Sequence, residues 1–147
     1  DAIIIHSYAK IIKGNDEYGQ MISEIVETDD KKEAFDIYKN RALDYLVNQY
    51  PNEIKEYNRI FNKPIWVTEW NLQISKTTGN TLLQSLFVSN YLLELISNTD
   101  FSDIELTTYH NLAGRDISGS IFMNHDEKTE IHSTYYPMMM IGKIFQR

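Results

Sequence analysis

Lys63-Pro64-Ile65-Trp66-Val67-Thr68-Glu69-Trp70-Asn71 is the stretch that decides the fold of this chain. Pro64 to Trp70 reads as a buried strand, being short, β-branched and aromatic, and it closes on a carboxylate. An acid at the tip of a buried strand is costly to desolvate unless neighbours hold it in one protonation state. Such arrangements concentrate where catalysis or binding takes place.

Outward from this stretch, two further segments have the same character, Ala2 to His6 and Ile104 to His110. Helical patterns separate the three. Asp30 with Glu33 three residues later forms a capping box, and Phe35, Tyr38, Ala42, Tyr45 and Leu46 then recur at helical spacing toward Tyr50. Pro51 predicts the end of that helix, with a separate short one from Asn52 to about Phe61. Beyond the central strand, Thr77 to Asn80 predicts a turn and a cap for a helix over Thr81 to Ser97. Its Leu82, Leu83, Leu86, Phe87, Tyr91, Leu93 and Leu95 make it apolar over much of its circumference, so it is expected to be largely buried. A last helix is predicted from Ser133 or Thr134, with Pro137 in its first turn and Met138 to Phe145 as its packed face. Strands alternating with helices, through connections too long for hairpins, predict an α/β fold with a parallel sheet covered by helices.

The bulk properties agree with one packed domain over residues 1–147. Hydrophobic residues make up 42% and aromatics 12% of the chain, enough for a core. The formal net charge is −7 and no basic cluster exceeds a Lys-Lys pair, so nucleic acid is not an expected partner. No apolar run approaches the roughly 20 residues that span a bilayer, so no membrane association is expected. With no cysteine there is neither a disulfide framework nor a thiolate metal site. The chain enters Ala2-Ile3-Ile4-Ile5 directly after Asp1, and a strand needs a partner, so the sequence reads as a section of a larger fold.

Two long connections, Ala9 to Asp29 and Leu112 to His132, follow the carboxyl ends of the first and third strands. Loops of that length are often functional, and parallel α/β folds place their ligand sites at that end of the sheet. The three strand ends bring His6-Ser7-Tyr8, Glu69-Trp70-Asn71 and Tyr109-His110-Asn111 to one rim. Alternation puts His6 and Tyr8 on the same side of their strand, where both can face Glu69. A tyrosine hydroxyl within reach of a carboxylate favours its ionised form. A poised carboxylate with a Tyr donor, a His and aromatic faces suits attack on an anomeric carbon, with the sugar stacked on the aromatics.

These residues carry a resemblance. The His-x-Tyr strand end together with the Lys63 to Asn71 strand resembles strands six and seven of the clan A glycoside hydrolases, retaining enzymes built on a (β/α)8 barrel. Arabinofuranosidase-like and xylosidase-like members are the most similar in character. The resemblance covers nearly the whole chain, as strand six to helix eight, and implies a partial (β/α)8 TIM barrel forming the C-terminal portion of a catalytic domain. It implies Glu69 as nucleophile, Tyr8 as its hydrogen-bond partner and His6 in the sugar subsite beside the scissile bond. Tyr109 or His110 would line the same subsite. The clan's general acid/base, a Glu usually preceded by Asn at the end of strand four, has no counterpart here. Asn15-Asp16 and Asn52-Glu53 fall in a loop and at a helix start. The expected partners are a carbohydrate substrate and the N-terminal remainder of the barrel, or a second copy of the chain. A non-catalytic carbohydrate-binding relative is the alternative, and export is expected only by analogy with polysaccharide-degrading enzymes.

Other residues have plainer readings. Trp70 either stacks on sugar or packs under the following loop, and Asn71 either orients a substrate hydroxyl or serves a turn. His125 and His132 lack metal-ligand spacing and read as surface residues. Gly114 and Gly119 predict a small hairpin leading to Ser120-Ile121-Phe122, Met138 to Met140 predict helix core, and Glu105 is expected to pair with a base at the far end of the sheet. Nothing resembles a phosphate-binding loop, so no cofactor is expected.

Overall fold

The computed structural model describes residues 1–9, 11, 29–73, 78–114, 119–125 and 128–146. Strand β1 (Ile3–Ala9), β2 (Ile65–Leu72) and β3 (Ile104–Tyr109) form one open sheet in the order β1-β2-β3, with both pairings parallel. β1 runs three residues beyond the expected end, so Tyr8 lies within the strand rather than in a loop. Helix α1 (Lys31–Asp44) starts at Asp30, whose Oδ1 accepts the backbone N–H groups of Lys32 (2.8 Å) and Glu33 (3.1 Å).

The helix does not end at Pro51. A π-helical turn, Tyr45–Gln49, joins α1 directly to α2 (Tyr50–Phe61), and Pro51 falls in the first turn of α2. The wider π turn before it accommodates the proline ring and the missing N–H within one continuous helical run. Asn52 Nδ2 takes up the Asn48 carbonyl at 2.7 Å. α2 stops at Asn62, in the left-handed conformation at φ 47°.

Helix α3 (Leu82–Ser97) starts one residue later than expected, with Thr81 itself as its cap rather than a residue of the Thr77 to Asn80 turn, and only one face is buried. Leu83, Phe87, Val88 and Tyr91 are buried, Phe87 against Tyr45 and Tyr91 against Trp70, whereas Leu82, Leu93 and Ile96 stay exposed. The connection after β3 is likewise not a plain loop. β4 (Ala113–Gly114) pairs in parallel with β5 (Phe122–His125), which pairs antiparallel with β6 (Lys128–Ile131). The hairpin among the described residues is β5–β6; the turn expected between Gly114 and Gly119 falls on residues 115–118. Residues 115–118, the Asn15-Asp16 pair and most of the Ala9 to Asp29 connection lie outside the described residues. Helix α4 (Tyr135–Ile144) begins where expected, yet of its predicted packed face Met138 alone packs on the core, while Met140, Ile144 and Phe145 are exposed.

The core lies between the sheet and the helices, and it is aromatic. Trp70 stacks on Tyr91 with centroids 4.0 Å apart, Tyr91 meets Tyr50 at 5.2 Å, and Tyr50 meets Phe101 at 5.2 Å. Buried hydroxyls pair within it, Tyr91 with Tyr50 at 2.6 Å and Ser7 with Tyr45 at 2.7 Å. The opposite face of the sheet is open. Ile4, Trp66 and Leu106 stand in register across the three strands and are 62%, 39% and 42% exposed. Among the described residues Glu105 pairs with no base; it accepts a hydrogen bond from Trp66 Nε1 at 3.3 Å.

Candidate active site

Glu69 owes its place to an irregularity in β2. Ile65 and Val67 alternate toward the helices as a regular strand requires, and so do Trp70 and Leu72. The register to β1 slips between them: Ile5 pairs with Val67, but His6 pairs with Glu69, leaving Thr68 as the extra residue of a β-bulge. Without that residue Glu69 would share the helix-facing side of Val67. The bulge re-aims it to the open face, among side chains of the neighbouring strands.

On that face the Tyr8 hydroxyl donates to Glu69 Oε2 at 2.6 Å, and His6 Nδ1 stands 3.6 Å from the same oxygen. The His110 ring meets the Tyr8 ring edge-on, with centroids 6.0 Å apart. Glu69 keeps about a third of its side chain, 35%, open to solvent. The Tyr8 hydrogen bond, with smaller electrostatic help from His6 and His110, holds its carboxyl below the usual carboxylate range. Burial and the adjoining carboxylate push the Tyr8 hydroxyl in the opposite direction, well above its ordinary value. The result is an anionic oxygen beside a phenol that stays a donor. One carboxylate oxygen is engaged by Tyr8 and His6, and no described group bonds to the other.

Three residues whose sequence readings include a substrate contact lie away from the open rim. Trp70 is 1% exposed and sandwiched in the core against Tyr91 and Tyr109, so it packs under the rim rather than lining it. Asn71 is fully buried. Its Nδ2 lies 2.5 Å from the His110 carbonyl oxygen, 3.1 Å from Tyr109 Oη and 3.2 Å from the Gly119 carbonyl oxygen. Its Oδ1 accepts from Leu72 N at 2.7 Å and Gln84 Nε2 at 3.2 Å, leaving no polar atom for a ligand. Tyr109 donates its hydroxyl to the Gly119 carbonyl and packs against the core, and burial pushes its ionisation up to about 12.

His132 is not a surface histidine. It is buried, with Nδ1 3.1 Å from the Ser120 carbonyl oxygen and its backbone N–H donating to the Ile121 carbonyl at 3.0 Å. The side chain of His125 lies outside the described residues. Sequence reasoning also missed Gln84 and Gly119. Gln84, on the buried face of α3 amid leucines, was the available signal, since a buried carboxamide needs partners. No cluster of His, Asp or Glu that could hold a metal ion is found among the described residues, and none of their helices is long and apolar enough to cross a membrane.

No family model matches the chain, and no curated protein matches it. Solved structures do. The fold is similar to part of a GH51 arabinofuranosidase. That enzyme, from Xanthomonas axonopodis pv. citri, superposes with a TM-score of 0.59 at 16% identity over 93% of this chain. The α-L-arabinofuranosidase from Thermotoga maritima, in its arabinose complex, covers 97% at 18% identity with a TM-score of 0.49. This chain spans 28% and 26% of the length of those two. At such identities the likeness is one of fold: a mixed α/β arrangement with a parallel sheet, of the kind that forms part of a glycoside hydrolase.

Proposed function

We propose that this chain is the C-terminal portion of a (β/α)8 retaining glycoside hydrolase, with Glu69 as its nucleophile. The observation that carries this reading is the carboxylate itself: ionised, partly open, brought by a β-bulge to the C-terminal end of a parallel strand, and held by a phenolic donor at 2.6 Å. Glu69 attacks the anomeric carbon, the bond to the leaving oxygen breaks, and water later releases the sugar from the carboxylate ester. Tyr8 fixes which carboxylate oxygen is left to react, and His6 and His110 wall the subsite. The proton for the leaving oxygen comes from a carboxylic acid on another part of the barrel, about 5 Å from Glu69 as a retaining mechanism requires.

The row Ile4, Trp66 and Leu106 supports the same reading, since an apolar layer of that kind fills a barrel interior. The rest of the barrel covers it. The fold likeness to arabinofuranosidases makes pentofuranosides the first substrates to try. The test is to label the full-length protein with a 2-fluoro glycoside bearing an activated leaving group and map the modified peptide. The expected ester is on Glu69. Modification elsewhere overturns the nucleophile, and saccharide binding with no labelling favours a carbohydrate-binding relative without catalysis.

A further inference from the structure

Asn71 follows the candidate nucleophile by two residues and is fully buried, yet its carboxamide makes five polar contacts among the described residues. Its carboxamide joins three segments: the end of β2, the end of β3 at His110, and the segment at Gly119. Gln84 completes the junction from α3. Its Nε2 donates to Asn71 Oδ1 and to the Gly119 carbonyl, each at 3.2 Å, and its Oε1 accepts from Asn80 N at 2.7 Å. The Gly119 carbonyl thus gathers donors from Asn71, Gln84 and Tyr109. Gly119 sits at φ +69°, and a Cβ there would collide with Gln84 Nε2, so the junction is closed to any side chain.

What the junction holds is the His110 peptide. From one side Asn71 Nδ2 takes the His110 carbonyl; from the other the His110 N–H donates to the Trp70 carbonyl at 3.1 Å. At the ring itself, Nδ1 is buried with no hydrogen-bond partner among the described residues. The direction in which the ring leaves the backbone therefore follows from how its peptide is held, and the ring lies against Tyr8, the donor to Glu69.

We propose that Asn71 is a positioning residue for the Glu69 site: by clamping the His110 peptide it sets the His110 ring against Tyr8 and so keeps the Tyr8 hydroxyl on Glu69. Its catalytic consequence rests on the reading of Glu69 as nucleophile, whereas the clamp itself does not. Misplacement of a group near reacting atoms costs up to about 100-fold in rate, so loss of the clamp is expected to slow labelling of Glu69 by roughly tenfold.

The experiment compares Asn71→Ala with Tyr91→Phe, which removes the buried Tyr91–Tyr50 hydrogen bond on the helix side and serves as a stability control. The first readout is the nuclear Overhauser contact between the His110 and Tyr8 rings in the full-length protein; the second is the rate of 2-fluoro glycoside labelling. Loss of the contact with slower labelling in Asn71→Ala, and neither in Tyr91→Phe, is the expected result. A contact that survives in Asn71→Ala overturns the clamp, and a lost contact with unchanged labelling overturns the positioning role. If Asn71→Ala fails to fold, Gln84→Leu deletes one arm of the junction while leaving Asn71, and the same contact is read for weakening. If even the unaltered protein is never labelled at Glu69, the nucleophile reading fails, while the ring contact still decides the clamp.

Discussion

The Tyr8 hydroxyl donates to Oε2 of Glu69 at 2.6 Å, linking adjacent parallel strands across 61 residues of sequence. This bond is the largest cause of the depressed Glu69 ionisation. Tyr8→Phe removes the donor and leaves the ring in place. Glu69 then titrates closer to an ordinary carboxylate, and in the proposed role of Glu69 as nucleophile, which must be ionised, the acid limb of kcat/KM moves to higher pH. The rate on the plateau is expected to fall about tenfold, the kinetic equivalent of one hydrogen bond. Carbon NMR of the Glu69 carboxyl and a pH-rate profile check both, and an unmoved acid limb refutes the role of Tyr8.

The same shift couples to stability. The folded carboxyl of Glu69 lies below its unfolded value, so the carboxylate stabilises the fold above the ordinary carboxylate pKa. That stabilisation is lost as pH falls through the lowered folded value. Glu69→Gln is expected to be relatively less stable at neutral pH, with the difference from the unaltered protein narrowing in acid below the usual carboxylate range. Urea denaturation at a series of pH values measures the gap, and a gap independent of pH counts against it.

Trp70 belongs to the core, stacked on Tyr91 at 4.0 Å. Trp70→Ala should therefore cost about 3–5 kcal/mol of stability. Trp70→Phe should lower the melting temperature while saccharide affinity stays within about twofold, because no sugar reaches the ring. Large loss of affinity in a well-folded Trp70→Phe protein, seen by calorimetry, would restore Trp70 to the binding site.

Gly119 combines a left-handed backbone with a close neighbour, since a methyl group at its Cα would run into the Gln84 carboxamide. Gly119→Ala is expected to destabilise by about 1–3 kcal/mol through backbone strain, with displacement of Gln84 adding to it. The denaturant midpoint reports the loss, and an amide spectrum changed around Asn80, Asn71 and His110 reports where it is felt.

Ile4, Trp66 and Leu106 form an exposed apolar row on the open sheet face, and β1 and β3 present unpaired edges among the described residues. On the proposed reading as part of a barrel, residues 1–147 expressed alone should self-associate through this face. Analytical ultracentrifugation showing a monodisperse monomer of residues 1–147 would contradict this.

Much of this architecture was legible in the sequence. The three parallel strands, the Asp30 cap and the starts of α3 and α4 to within two residues follow from local rules: apolar runs bounded by turn residues, and side-chain oxygens placed to receive unpaired N–H groups. The meeting of His6, Tyr8 and Glu69 was legible too, because alternation along β1 and parallel pairing with β2 leave those side chains few other neighbours. Pro51 misled, because local preference against helix at a proline yields when a π turn re-registers the backbone around it.

The sequence by itself determined the strand and helix order, the carboxylate at the end of β2 and its tyrosine donor, since these depend on contacts near in sequence or enforced by strand periodicity. Only the tertiary structure decided the division of labour around Glu69. Trp70, Asn71 and Tyr109 are as polar or aromatic as Tyr8 and His6, and what separates them is which face of the sheet each occupies after the bulge at Thr68 and which carbonyls the Gly119 segment brings back over the strand ends. A one-residue register shift and a long-range loop return leave no local mark in the sequence, because each is fixed by packing among segments far apart in the chain.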